Sequence, residues 1–466
     1  MTARAMTHRM PWGLIAALWV AEMASAFESA MILAALKVLV AEFRDPAMVG
    51  WLVTGFLIVG AAASAVVGRL GDLYGRRRVM LIVLAVGACG SLISAASSSF
   101  AMLLAGRVLQ GVTATILPLC IGLVRENLPE DRVPAGIGLM ISGASVGTAA
   151  GLIAGGMIVD LFHWHGIFVA SAFFCAAAWA AVRWLVPPSV ASQPGQPVDW
   201  LSGLLFAPGV TLVLLYLMGG KAWGWSSPAA LALLAAGIAL CGWWVRLALR
   251  SANPLIDVRA LGNRSIAVVC GASALVAMGT MQIMVFFSLL MQAPTWTVTG
   301  LGLSATMAGF AKLPSNLTSV LGGPLGGWLA GRGGGRFAMV VGGLVATAGW
   351  VMTLIDASSL TLVIIQLIVI SFGTMMLFAV APTIIAAAAP PERTSELVGM
   401  LGVIRSLFMG IGSQLVATLL AVETVTNGKE TYPSPFAFQV TLGAIIALSL
   451  GAVAVSLALP GRKKDG

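Results

Sequence analysis

Charged residues are scarce in this chain of 466 residues. Asp, Glu, Lys and Arg together make up 9% of it, whereas hydrophobic residues make up 59%. A soluble globular domain carries about 25% charged residues. So few polar side chains could not cover a water-facing surface, and the composition therefore predicts that the lipid bilayer is the solvent of this protein.

Residues for metal binding, disulfides and covalent chemistry are also few. The chain has three histidines and no Cys-x-x-Cys, and its five cysteines all lie in apolar runs: Cys89, Cys120, Cys175, Cys241 and Cys270. This pattern favours neither a disulfide framework nor a metal site. A nucleophile elbow and a phosphate-binding loop are missing as well. We predict no catalytic residue, no metal and no cofactor, and hence a protein that is not an enzyme.

Long apolar runs dominate what is present. A membrane helix needs about 20 mostly apolar residues, and we count fourteen such runs. They cover residues 13–40, 48–67, 79–97, 99–124, 135–160, 165–186, 200–219, 228–249, 265–292, 302–330, 337–356, 359–389, 396–422 and 436–459.

The order of the runs is six, two and six, which is typical of transporters with two similar halves. It predicts four regions of the chain. They are a six-helix bundle at 1–186, a cytoplasmic Pro/Ser/Gln-rich linker at 187–199, two extra helices and a loop at 200–264, and a second bundle with a short tail at 265–466.

The distribution of cations gives the orientation. With the N-terminus inside, nineteen of the 26 Lys and Arg residues fall on the cytoplasmic side, four fall outside and three lie within helices. This asymmetry follows the positive-inside rule. It predicts a multi-pass protein of the inner (plasma) membrane with both termini in the cytoplasm. The net charge of +9 then reflects topology and implies no nucleic-acid partner.

A charged, glycine-rich turn at residues 68–78 separates the second and third runs. Its sequence, Gly-Arg-Leu-Gly-Asp-Leu-Tyr-Gly-Arg-Arg-Arg, resembles the loop motif of the major facilitator superfamily. The matching residues are Gly68, Leu70, Asp72, Gly75, Arg76 and Arg77. The resemblance implies that this gating loop is a cytoplasmic latch in which Asp72 and Arg76 control opening.

The second half contains a degenerate copy of this loop at residues 326–336. Gly331 stands where the first copy has its acid. If Asp72 is a latch residue, the two halves are unequally latched.

The central pair of runs adds a finer resemblance. Residues 223–228, 253–259 and 263–264 resemble the fourteen-helix drug:proton antiporter branch of the superfamily. The resemblance covers essentially the whole chain. It implies a fold of two six-helix bundles with two extra central helices, and it implies drug export driven by protons.

Ionisable residues within membrane helices are functional candidates by default. Glu28 opens a stretch that resembles the first-helix motif of the branch, where an aspartate tied to proton coupling normally stands. Arg107, Gln110 and Gly111 match the family motif Arg-x-x-Gln-Gly. We therefore predict that Glu28 and Arg107 form a proton-coupling pair and that Gln110 lies in the substrate cavity. A purely structural ion pair is the alternative.

Glu22 lies in the same first helix and is a further candidate for the substrate cavity. It is six residues before Glu28, which corresponds to about 120° around the helix. The two carboxyl groups therefore cannot both point squarely into one cavity.

Glycines recur along the fifth run. Gly143, Gly147, Gly151, Gly155 and Gly156 form a row that predicts close packing against another helix. A similar row marks antiporters in the family, although Leu152 replaces the usual proline.

Lys312 and Arg405 are the mid-helix cations of the second half. We predict that both face the substrate cavity. Snorkelling to the membrane surface is the alternative for Lys312. Nearby methionines and phenylalanines could line an adaptable apolar pocket, but a lipid-facing or core stripe is the favoured interpretation. These residues are Met278, Met281, Met284, Phe286 and Phe287.

The combined prediction is a monomeric transporter that works by alternating access. Protons enter along their gradient and a hydrophobic or amphiphilic compound leaves. Two acids against three bases within the helices favour a neutral, zwitterionic or anionic compound. The alternatives are proton-coupled transport of a specific organic anion or lipid-like metabolite, and a non-transporting membrane sensor or scaffold.

Overall fold

The computed structural model describes residues 11–189, 200–251, 254–297, 299–427 and 430–461. Most of the predicted linker, Asn253 and both chain ends lie outside these ranges. The α-helices in the described part are α1 (Trp12–Phe43), α2 (Pro46–Tyr74), α3 (Arg76–Ala95), α4 (Phe100–Gln110), α5 (Ile116–Asn127), α6 (Val133–Leu161), α7 (His165–Leu185), α8 (Trp200–Trp223), α9 (Pro228–Arg250), α10 (Arg264–Met278), α11 (Ile283–Gln292), α12 (Ala305–Ala311), α13 (Leu313–Ile355), α14 (Leu360–Ala388), α15 (Thr394–Leu420) and α16 (Pro435–Ser456).

The protein is all-helical apart from one short hairpin in the described residues. Strands β1 (Thr424–Asn427) and β2 (Glu430–Pro433) pair antiparallel between α15 and α16, with Val425 opposite Tyr432. This agrees with the predicted all-α membrane class.

Twelve helical segments in the described residues are long and apolar enough to cross a membrane, two fewer than the sequence predicted. One reason is that the predicted runs 302–330 and 337–356 fall into a single segment, Met307–Ile355. The other is α8, whose described apolar stretch is the shorter Leu205–Gly220. The predicted count of fourteen crossings is therefore not supported by the described helices.

The contacts divide the chain into two compact units. Unit 1 comprises Met1–Gly262 and Ile385–Val403, and unit 2 comprises Asn263–Ile384 and Ile404–Gly466. Helix α15 thus begins in unit 1 and continues in unit 2. The domain boundaries placed at residues 186 and 264 stay a prediction.

Glycines bring α6 against α1 in unit 1. A Cβ on Gly147 would lie 2.5 Å from the carbonyl oxygen of Met23, and a Cβ on Gly151 would lie 2.9 Å from that of Phe27. Gly155 continues the row, and Gly143 faces Trp19. The predicted packing stripe is present along these four glycines, and it fixes the helix that carries Glu22 and Glu28.

Gly156 does not belong to this stripe. A Cβ at this position would meet no described atom within 4 Å. Its place in the predicted row was wrong because it is adjacent to Gly155 and therefore points about 100° away from it on the helix.

Unit 2 packs around an aromatic core. Phe286 is fully buried and meets Phe287, Trp350 and Phe438 edge-on at centroid distances of 5.5–5.6 Å. The two phenylalanines are thus core residues, as favoured, whereas Met284 is 58% exposed.

Three predicted membrane runs are interrupted partway along. A 3₁₀ turn at Gly111–Thr115 separates α4 from α5, and another at Thr280–Gln282 separates α10 from α11. Lys312 separates α12 from α13, although its own dihedral angles, φ of −84° and ψ of −15°, remain in the helical region. Irregular backbone at membrane depth is tolerated where it is buried in protein or lines a cavity. It often marks binding sites in transporters.

Candidate functional site

The carboxyl group of Glu28 is the centre of a polar cluster in unit 1. Its side chain is 0% exposed and accepts hydrogen bonds from three hydroxyls and one amide. Ser91 and Ser171 each donate to Oε1 at 2.8 Å, and Gln110 Nε2 does so at 3.4 Å. Thr113 donates to Oε2 at 2.6 Å. Every oxygen of this buried acid therefore has a donor.

Four parts of the chain supply these groups. Glu28 comes from α1, Ser91 from α3 and Ser171 from α7, while Gln110 and Thr113 lie at the interruption between α4 and α5. The 3₁₀ turn brings both of the last two toward the acid.

Gly87 on α3 makes room for this arrangement. A Cβ there would lie 2.3 Å from Cγ2 of Thr113 and 3.4 Å from Oε2 of Glu28. The glycine thus allows the 3₁₀ turn to approach α3 beside the carboxyl group.

Two of the hydroxyls have a second acceptor on the main chain. Ser91 Oγ lies 2.9 Å from the carbonyl oxygen of Gly87, and Thr113 Oγ1 lies 2.8 Å from that of Gln110. A hydroxyl carries one proton and two lone pairs. Each can therefore donate to Glu28, or turn its proton to the main chain and accept one from Glu28.

Arg107 reaches Glu28 differently from the prediction. Its Nη1 donates to the main-chain oxygen of Glu28 at 3.1 Å and to Oε1 of Gln110 at 2.8 Å. Its Nε donates to the carbonyl oxygen of Leu52 at 3.1 Å, and the guanidinium lies 4.6 Å from the ring centroid of Phe56. The expected direct ion pair is not formed in the described residues, because Gln110 stands between the two charged groups.

Glu22 lies outside this cluster. It is buried, and its Oε2 has no hydrogen-bond partner among the described residues. The separation expected from a six-residue spacing is thus seen. The predicted role of Glu22 in a substrate cavity stays a prediction.

The gating loop forms a second polar cluster in unit 1. Asp72 accepts a hydrogen bond from Nε of Arg76 at 2.8 Å and pairs with its Nη2 at 2.7 Å. The same carboxylate accepts from the backbone N–H groups of Ser395 at 3.3 Å and of Glu396 at 2.9 Å. These are free N–H groups of the first turn of α15, where a helix favours negative charge. Asp72 therefore holds the start of α15.

Arg76 binds the same segment as Asp72. Its Nε donates to Ser395 Oγ at 3.1 Å, and its Nη2 donates to the carbonyl oxygen of Pro391. Its Nη1 donates to the carbonyl oxygen of Gly122 and pairs with Glu126 at 3.3 Å. The arginine thus joins three parts of unit 1.

Two glycines of the loop motif have separate steric roles. A Cβ on Gly68 would lie 2.3 Å from the carbonyl oxygen of Ser395, so α2 can approach α15 only without a side chain there. Gly75 has φ of 95° between α2 and α3, a conformation that favours glycine. Arg77 has other partners: its backbone N–H donates to Ser189 Oγ, and its Nη2 donates to the carbonyl oxygen of Arg183.

Several charged residues of this cluster were not singled out from the sequence. Arg69 pairs with Glu396 at 3.5 Å, and Arg125 donates to Thr394 Oγ1 at 2.6 Å. Arg393 pairs with Glu396 at 3.2 Å and with Asp257 at 3.5 Å. The charges in residues 391–396, Pro-Glu-Arg-Thr-Ser-Glu, were a signal, but their partners are far away in the chain.

The central loop also enters the cluster. The backbone N–H of Asp257 donates to Oε1 of Glu396 at 2.7 Å, and Arg393 donates to the carbonyl oxygen of Pro254. The segment that follows α9 is therefore tied to the start of α15.

The two predicted cavity cations lie in unit 2 and have neutral neighbours. Lys312 Nζ donates to Ser288 Oγ at 2.8 Å. The guanidinium of Arg405 lies 4.1 Å from the ring centroid of Phe378, and its Nε has no hydrogen-bond partner among the described residues.

Many long apolar helices, interrupted helices with buried polar groups, and a charged loop tied to a later helix define a multi-pass helical membrane protein. The family model of the Major Facilitator Superfamily matches residues 18–413. The chain belongs to this superfamily.

Three relatives are similar to this chain over most of its length. The "Tetracenomycin C resistance and export protein" of Streptomyces glaucescens is 26% identical over 97% of this chain and 84% of its own length. The "Multidrug efflux pump LfrA" of Mycolicibacterium smegmatis is 28% identical over 83% of this chain and 77% of its own length. The "Multidrug resistance protein Stp" of Mycobacterium tuberculosis (strain CDC 1551 / Oshkosh) is 27% identical over 80% and 68%.

Two solved structures share the fold. The human organic anion transporter MFSD10 (TETRAN) has a TM-score of 0.67 at 14% identity, covering 96% of this chain and all of that chain. The proton:xylose symporter XylE has a TM-score of 0.64 at 12% identity, covering 94% of each chain. At these identities the likeness concerns the fold alone.

Proposed function

We propose that this protein is a proton-coupled secondary transporter that exports hydrophobic or amphiphilic compounds, as multidrug efflux proteins do. Membership of the superfamily and the names of the export and resistance relatives support transport and efflux rather than catalysis. The observation that carries the coupling is the hydrogen bonding of Glu28. In this proposal the transporter is a monomer that needs no cofactor, and its energy source is the proton gradient.

The cluster around Glu28 can satisfy both protonation states of the acid. When Glu28 is charged, the hydroxyls of Ser91, Ser171 and Thr113 donate to it. When it is protonated, Ser91 or Thr113 turns its proton to a main-chain oxygen and accepts the proton of the acid. Buried polar groups need partners, and here neither state leaves the carboxyl group unpaired.

Gln110 transmits the protonation state to neighbouring helices. Its amide nitrogen faces Glu28 and its amide oxygen accepts from Arg107, which in turn holds the main chain of α1 and of α2. Protonation of Glu28 removes its negative charge and so weakens the hydrogen bond that Gln110 Nε2 donates to it. The strength of the hydrogen bond between Arg107 and Gln110 Oε1 changes as a consequence. This difference biases the equilibrium between the end states of alternating access.

The gating loop stabilises one of these end states. Asp72 and Arg76 hold the start of α15 through backbone and side-chain bonds that a movement of this segment would break. Export requires that these bonds open and close once in each cycle.

We further propose fourteen crossings and the drug:proton antiporter branch. The segment Met307–Ile355 has 49 residues, about 73 Å of helical rise, against a hydrocarbon thickness of about 30 Å. Gly334, with φ of 83° and ψ of 159°, interrupts it between Arg332 and Arg336. Helix α8 has 24 residues and packs with α9. If Met307–Ile355 crosses the membrane once on each side of Gly334, and α8 and α9 cross once each, the total is fourteen in the order six, two and six.

Labelling of single cysteines tests the count and the orientation in the plasma membrane. In a background without the five native cysteines, Ser226→Cys reacts with an impermeant maleimide from outside. Arg336→Cys reacts only after permeabilisation. Labelling of both from the same side contradicts fourteen crossings with cytoplasmic termini.

Transport in liposomes tests the function. The purified protein is reconstituted around a pH-sensitive dye and challenged with cationic, neutral and anionic amphiphiles. Proton movement that depends on both protein and compound is the expected result. If the protein is correctly inserted and no compound of the panel causes proton movement, the proposed coupling is contradicted.

The second candidate is proton-coupled transport of one specific organic anion or lipid-like metabolite. The observation in its favour is the pair of helix cations in unit 2, Lys312 and Arg405. Saturable transport of a single carboxylate and no response to any other amphiphile would favour it over broad export.

A further inference from the structure

The membrane helices of unit 2 contain no acid. Asp and Glu do not occur in residues 264–292, 307–355, 360–388, 404–420 or 435–456. Lys312 and Arg405 nevertheless lie within these ranges. A charged side chain at membrane depth is costly unless a partner or water stabilises it. Unit 2 thus carries positive charge that its own membrane helices do not balance.

The contacts of Lys312 are all with neutral groups. Its Nζ donates to Ser288 Oγ at 2.8 Å and lies 3.7 Å from Sδ of Met284. An ammonium has three N–H donors, and a thioether is a weak acceptor. Among the described residues, no carboxylate stands at ion-pair distance from this group. Lys312 therefore retains both a charge and a donor for a further partner.

The position of Lys312 makes this donor available inside the helical region. The residue stands at the interruption between α12 and α13. Its ammonium is held by Ser288, which lies one turn before the end of α11. One helical turn corresponds to about 5.4 Å, so the charge stops short of the end of that helix.

Two exposed apolar residues lie next to Lys312, one in space and one in the chain. Met284, whose Sδ lies 3.7 Å from the ammonium, is 58% exposed, and Phe310, two residues before Lys312 on α12, is 60% exposed. Methionine and aromatic side chains adapt to apolar molecules of different shapes. A cation beside such a surface matches a compound with one negative group and an apolar body.

We propose that Lys312 binds the negatively charged group of the exported amphiphile, such as a carboxylate or an ionised phenol. The inference rests on the proposed export function and names the substrate class of that site. An anionic lipid head group has the same chemistry, so the experiment distinguishes the two sources.

Binding of a matched pair of probes tests the proposal. The probes are dansylamino-undecanoate and its methyl ester, which share the apolar body and differ in charge. The variants are Lys312→Met, Lys312→Arg and, as a matched control, Lys37→Met, because Lys37 is an exposed lysine of α1. All are purified in detergent without added lipid, and their folding is checked by thermal denaturation.

The expected result is weaker binding of the acid with unchanged binding of the ester. Lys312→Met weakens binding of the acid about ten- to hundredfold, the range for a hydrogen bond between charged groups, and leaves the ester within about twofold. Lys312→Arg retains most of the preference for the acid, and Lys37→Met retains all of it. Equal effects on both probes, or none, would overturn the proposal.

Transport separates this inference from the proposed function. If wild-type protein in liposomes drives proton-coupled movement of neither probe nor of any amphiphile, the function itself fails. If it moves acid and ester equally and Lys312→Met does the same, only the inference fails. If Lys312→Met removes stabilisation by phosphatidylglycerol but leaves the preference for the acid, the partner is a lipid and the assignment to the exported compound is overturned.

Discussion

The two units share their packing but differ in charge. Gly147 in unit 1 and Gly326 in unit 2 each face a main-chain oxygen of a neighbouring helix. The described residues of unit 1, however, form five ion pairs around the gating loop, and the acid at Glu28 is fully bonded. In unit 2, Arg332 and Arg405 lie over the rings of Trp328 and Phe378. Similar helix packing thus carries different polar groups in the two units, for which we propose proton handling in unit 1 and binding of substrate charge in unit 2.

The largest expected effect removes the acid from unit 1. Glu28→Gln keeps the size of the side chain but cannot take up a proton at neutral pH. We expect transport driven by a pH gradient to fall to the level of protein-free liposomes, while binding of the compound persists. Glu42→Gln is the matched control, since Glu42 is an exposed acid on the same helix. Full activity of Glu28→Gln would refute the assignment.

The next effect concerns the buried ion pair of the gating loop in unit 1. Asp72→Asn removes the charge that pairs with Arg76 within a buried site, and loss of one partner of a buried pair costs about 3–5 kcal/mol. We expect lower thermal stability and slower transport. Glu126→Gln, which changes a partly exposed partner of Arg76, should cost under about 1 kcal/mol. Equal losses in the two variants would contradict a special role for Asp72.

A third test asks whether packing is shared. A Cβ would lie 2.5 Å from the oxygen of Met23 in Gly147→Ala and 2.8 Å from that of Met376 in Gly326→Ala. We expect each variant to lose about 1–3 kcal/mol, measured as a lower melting temperature in detergent. Gly156→Ala, with open space around it, should melt like wild type. If only one of the two variants lost stability, close packing at glycine would not be a feature that the two units share.

The smallest expected effect concerns the central loop. Asp257→Asn weakens its pair with Arg393 but keeps the backbone bond from Asp257 to Glu396. Both partners are partly exposed, so the cost is about 1 kcal/mol or less. We expect a slight rise in proteolysis of the segment after α9. A collapse of transport would instead make this loop part of the gate.

The sequence predicted the all-helical membrane class from its composition. It pointed to residues 68–78 and to Glu28 through motifs that resemble those of the family, and the gating role of the loop stays a prediction. It did not predict Ser91, Ser171 or Thr113, since a hydroxyl in an apolar run carries no distinctive pattern. Their common target appears only when α1, α3, α7 and the 3₁₀ turn between α4 and α5 meet.

Long-range partners were missed for the same reason. Glu396 is more than three hundred residues from Arg69, with which it pairs. Arg107 was expected at the carboxylate of Glu28, but spacing along a helix does not show that Gln110 would stand between them. The sequence around Gly334 likewise gives no hint that α13 would extend over two predicted runs with a kink at this glycine.

The two acceptors available to Ser91 and Thr113 have a kinetic consequence. Turning a hydroxyl moves only a hydrogen atom, whereas collective helix motions take microseconds to milliseconds. The cluster can therefore equilibrate with a proton on Glu28 long before the backbone moves. Turnover should then report the rate of the backbone step, and replacing water by heavy water should slow it little.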